Sequence, residues 1–174
     1  MTDDPTTDDL APVIAASARW LLTAYPAPAG ALSRALAEAQ ARQAATLAAT
    51  LRYPTSLDVQ LLHLLAPSGS HRLDWLTGRD TQPDHTAWRT WVDETVVSWA
   101  ACLLADPTLA ARAQQALPMS EHHPAGGLRR LTDPGQWDTE AAALLRHPDL
   151  LETIADLHRP QLMELLGVDS AELP

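Results

Sequence analysis

Apolar residues recur every three to four positions along most of this chain, with polar residues between them, and this period predicts helices nearly throughout. The first helix is expected from Asp9, whose carboxylate can cap it, with Pro12 in its first turn and Val13, Ile14, Ala18 and Leu21 as its buried stripe. Pro26, Pro28 and Gly30 end it. A second helix over 29–52 repeats Leu32, Leu36, Ala39, Gln43, Leu47 and Leu51, with Glu38 paired to Arg42 four residues on. Tyr53-Pro54 breaks it, because the residue before proline is pushed out of helical geometry.

Thr55 and Asp58 form a capping pair for a third helix, Leu57 to Ala66, apolar on nearly all sides and therefore expected to be central. His71 to Thr77 adds two turns closed by Gly78. The longest predicted helix runs over 84–105: Trp88, Trp91, Val92, Thr95, Val96, Trp99, Cys102 and Leu103 share one face, and Val97, Ala101 and Leu104 lie opposite. Apolar faces on both sides imply a helix sandwiched between others. Asp106-Pro107 starts a new helix at once, ending near Leu117. An exposed loop over 118–127 and irregular chain to Asp138 follow, then a short helix from Thr139 to Arg146. The last helix opens at His147-Pro148-Asp149; Pro160 should kink or split it and Gly167 should stop it.

Composition agrees. Alanine and leucine fill about a third of the chain, whereas isoleucine and valine are rare, a balance that favours helix over sheet. The expectation is an all-α fold: a single-domain compact bundle of roughly six to eight helices over 9–174, preceded by an acidic disordered tail, 1–8. The acidic start (Asp3, Asp4, Asp8, Asp9) is unlike a signal peptide, and no apolar run approaches a membrane span, so a cytoplasmic protein is expected. Cys102 is the sole cysteine, in keeping with a reducing compartment, and its apolar neighbours suit a small buried hydrophobe.

A net charge of −10, with arginine as the only strong base, opposes nucleic-acid backbones, and only Arg129 and Arg130 are adjacent. Paired carboxylates, a Ser-His-Asp arrangement and a glycine-rich phosphate loop do not stand out, and catalytic residues remain unknown. Leu166-Gly167-Val168-Asp169-Ser170 resembles the serine site of carrier proteins, but the helix that should follow is missing; His122-His123 lacks the aspartate that condensation enzymes place after such a pair. Trp88, Trp91 and Trp99 could line a ligand pocket, though bulk for a core without phenylalanine is the plainer role. Trp20, Trp75 and Trp137 sit nearer element edges; Trp75, Trp88, Trp91 and Trp137 are the candidate partner or ligand contacts.

Leu61-Leu62-His63-Leu64, with His158-Arg159-Pro160-Gln161-Leu162 and Leu165-Leu166-Gly167-Val168, resembles the DinB-type four-helix bundles. In that family a histidine on an early helix and a histidine pair on the last helix hold a divalent metal, and some members perform thiol-dependent transfer or isomerisation. The resemblance makes His63 and His158 the metal ligands; the partner four residues before His158 is Ile154, leaving one ligand short unless His71, His85 or Glu94 substitutes. Without the metal, His63 is a core-edge histidine and His158 a partly buried one beside the Pro160 break.

These observations favour a non-enzymatic acidic helical protein acting through protein–protein docking, as an adaptor, accessory subunit or dedicated chaperone. Its expected partner is a protein or a second copy, with no nucleic acid, no membrane and no cofactor. The alternatives are the DinB-like enzyme with a divalent metal and a regulatory domain binding a small ligand beside its tryptophans.

Overall fold

The computed structural model describes residues 5–65, 70–76, 92–117, 128–146 and 148–168. Among these, every regular element is a helix: α1 (Pro5–Ala24), α2 (Ala31–Arg52), α3 (Ser56–Leu65), α4 (Ser70–Leu76), α5 (Glu94–Ala105), α6 (Pro107–Ala116), α7 (Arg129–Thr132), α8 (Gln136–Ala141), α9 (Ala143–Arg146), α10 (Pro148–Ala155) and α11 (Arg159–Leu166). The all-α class is as expected. The segments outnumber the predicted helices because α8 and α9 part at Ala142, α10 and α11 part before Arg159, and α7 forms where irregular chain was expected. None of the described helices is long and apolar enough to cross a membrane.

The centre is α5. Val96 to Leu104 are buried without interruption, so this helix meets protein around its whole circumference, against α2, α10 and α6 chiefly. It is shorter than predicted. Val92 and Asp93 are not helical, and the Asp93 carboxylate instead caps the helix, accepting from the Thr95 amide at 2.7 Å. Its second oxygen accepts from the hydroxyl of Tyr53, the residue that ends α2, so one aspartate joins the end of α2 to the start of α5. Trp88 and Trp91 lie outside the described residues.

Asp106 both ends α5 and caps α6, its carboxylate taking the Thr108 and Leu109 amides at 2.9 and 3.1 Å. Pro107 sits in the first turn of α6, where its missing N–H costs nothing. Asp9 does not cap α1, which starts four residues earlier at Pro5 and takes in part of the predicted tail. Thr55 and Asp58 do pair at the head of α3, 2.7 Å apart.

One expected face and one expected edge residue are corrected. On α2 the buried face is Ala37, Gln40, Ala41, Ala44, Ala45 and Ala48, with Leu47, while Leu32 projects into solvent. The reason is that α1 and α5 both press on α2, and alanine lets backbones approach where leucine would hold them apart. On α1, Trp20 is fully buried with Val13, Ala16, Ala18 and Leu21, so it belongs to the core and not to an edge.

At the other end Gly167 closes α11 in the left-handed conformation, φ 61°, where an L side chain would be strained. Pro160 splits the last predicted helix. It is seated in the first turn of α11, so the chain restarts there and does not merely bend.

Removing the bulk of Trp99 from this sandwiched helix tests the architecture. Trp99→Ala is expected to cost about 3–5 kcal/mol, read from urea denaturation, as for other large-to-small core changes. An unchanged midpoint would mean that the ring faces solvent.

Candidate functional site

His158 stands in the break between α10 and α11, where two helix ends leave backbone groups in need of partners. Side chains of α5 supply them. Ser98 donates to the Ala155 carbonyl at 3.0 Å and accepts from the His158 amide at 3.0 Å. The Trp99 indole donates to the His158 carbonyl at 3.1 Å, and the Cys102 thiol donates to the Ala155 carbonyl at 3.3 Å. Ser98 and Cys102 are fully buried, so these bonds form away from water.

The His158 ring is likewise engaged. Its Nε2 meets Glu94 Oε1 at 2.8 Å, and Nδ1 lies 3.2 Å from the Gln161 side-chain oxygen. Glu94, Ser98 and His158 thus lie together, yet they do not form a nucleophile and its base: Ser98 touches the backbone of His158, not its imidazole. The arrangement is a staple that fastens the α10–α11 break to the central helix.

The metal reading gains no support from these atoms. A carboxylate on Nε2 would leave Nδ1 for the ion, and that nitrogen faces Gln161. Ile154 is fully buried in the core, and no group of three or more potential ligands gathers among the described residues. The side chains of His63 and His71, and all of His85, lie outside the described residues.

Of the candidate contacts, Trp75 on α4 and Trp137 on α8 are 78% and 73% exposed, and Trp88 and Trp91 lie outside the described residues; Trp99, weighed as a pocket wall, packs in the core. The larger apolar feature was not foreseen. On α3, Leu57, Leu61 and Leu64 are 62%, 44% and 80% exposed, so the helix expected at the centre lies at the periphery with a leucine ridge facing solvent. Their spacing of four and then three places all three on one side of the helix. The signal in the sequence was the excess of leucine on a short helix bounded by Pro54 and Pro67, more apolar than a single buried face requires.

No protein-family model, curated protein or solved structure matches the chain.

Burial pushes the Cys102 thiol up to about 12. Ellman's reagent is therefore expected to leave it unlabelled in native buffer at neutral pH and to react fully once denaturant is added. Because the folded-state value lies above the ordinary one, the stability this thiol contributes is intact below pH about 9 and is lost as pH rises toward about 12. Rapid native labelling would place the sulfur at the surface.

Ser98→Ala strands the His158 amide and is expected to cost about 1–3 kcal/mol. Unfolding by urea checks this, and a neutral outcome would remove the staple's energetic role.

Proposed function

We propose that this protein works without catalysis, as an adaptor or accessory subunit that docks on a partner protein through the leucine ridge of α3. The observation that carries the reading is three leucines held in water along one side of one helix, where scattered single exposures would need no explanation. Helical anchors at this spacing fit an apolar groove on a partner.

Two features favour a different protein over a second copy. A ten-residue helix is only about 15 Å long, short of what a stable symmetric interface of roughly 1,600 Å² needs on its own. The net charge of −10 also opposes self-association and favours a groove with a basic rim. The cytoplasm is the compartment this reading assumes.

The test is a pair of surface substitutions, Leu57→Ser with Leu64→Ser, which at exposed positions should alter stability by no more than about 0.5 kcal/mol each. Wild-type protein should sediment as a monomer. It should retain from a host extract a protein that the double variant does not, and the purified pair should bind at least about tenfold more weakly after the substitutions and more weakly as salt is raised. A wild-type dimer that the substitutions dissociate, or an identical set of proteins retained by both forms, would overturn the proposal.

A further inference from the structure

A second feature shares no residue with the α3 ridge or the His158 staple. Where α7 and α8 pack on α2, they leave an open cleft of about 510 Å³ lined by Gln43, Arg129, Arg130, Asp133, Gly135 and Asp138. Its size falls within the range of small-molecule sites, roughly 300–1,000 Å³.

Its charges are arranged unevenly. Arg130 is fixed: its Nε donates to Asp138 Oδ1 at 2.9 Å, and Asp138 is fixed in turn by accepting from the Gly135 amide at 3.2 Å. An arginine held by Nε keeps its two terminal nitrogens as a planar fork, the geometry that meets an oxyanion with two parallel bonds. Beside it, Arg129 and Asp133 are barely engaged with each other, 3.7 Å apart with both side chains more than three-quarters exposed. Such a pair holds little energy of its own and is open to new partners. Gln43 completes the wall from α2.

The cleft therefore offers two guanidinium donors for an anion, Arg129 and Arg130, and one available carboxylate, Asp133, for a cation. Two arginines are balanced by two aspartates, so a dianion such as phosphate would meet repulsion with no surplus positive charge to offset it. A molecule carrying one carboxylate and one ammonium fits both halves. We propose that this cleft binds a free α-amino acid, its carboxylate on the Arg130 fork with Arg129, and its ammonium on Asp133. The volume beyond the charged head accommodates a side chain. Asp138 is a positioning residue, since it sets the plane of Arg130.

The full chain is titrated with glycine, L-alanine and L-leucine, and separately with acetate, methylammonium and inorganic phosphate, by calorimetry and by amide chemical shifts in NMR. The amino acids are expected to bind with Kd of about 1 mM or tighter, at least about tenfold more tightly than acetate or methylammonium. Arg130→Gln should weaken them at least about tenfold, and Asp138→Asn should weaken them while leaving the shift changes centred on the same residues. Should Arg130→Gln disturb the helical signal in circular dichroism, Arg129→Gln at its exposed position serves the same purpose. Amino acids that bind no better than acetate, phosphate that binds more tightly than they do, or affinity unchanged in the arginine variants would each overturn the proposal.

Discussion

A helix enclosed on every side must find partners inside the protein for whatever polar atoms it carries, and that constraint on α5 organises the rest of the molecule. Its serine, indole and thiol hydrogens are matched to the backbone groups that α10 and α11 expose where the chain breaks. Each side solves the other's problem: the central helix carries no stranded donor at these positions, and the Ala155 carbonyl and the His158 amide and carbonyl at the break all find partners. Asp93 and Asp106 close the two ends of the same helix, the first through Tyr53 to α2 and the second by starting α6. Position, orientation and length of α5 are thereby set by three separate groups of bonds.

The surface follows from this economy of packing. With α2 and α10 occupying the flanks of α5, the apolar excess on α3 is not needed by the core and faces solvent. The charged cleft forms where two short helices, α7 and α8, pack on α2 and are joined by a side-chain ion pair between Arg130 and Asp138. The two candidate binding regions differ in chemistry because one is made of leftover leucine and the other of arginines and aspartates spared from the interior.

The helical class, the caps at Thr55 and Asp106, the break at Pro54 and the stop at Gly167 were legible in the sequence because each depends on residues within one or two turns. Pro160 was read as a break for the same reason. What escaped depends on distant contacts. The true start of α5 requires knowing that Asp93 has Tyr53 across from it, and the burial of Trp20 requires knowing that α1 lies against α2. The α3 leucines misled because hydrophobicity measures what a residue prefers and does not say whether the core has room for it. Of the candidate site residues, His158 was placed correctly at the helix break as a partly buried histidine. Its partners Glu94 and Gln161 come one from sixty-four residues away and one from the next turn, and only the second is a local relation.

The alanine face of α2 has a consequence for mechanics. An alanine has no side-chain torsion to adjust, so the contact among α1, α2 and α5 gives up little side-chain entropy on folding and has few soft degrees of freedom once formed. A load applied to one of these helices is passed from backbone to backbone, not absorbed by rotamers. The three helices should therefore move as one stiff body, against which the short helices that border the cleft are the more compliant part of the molecule.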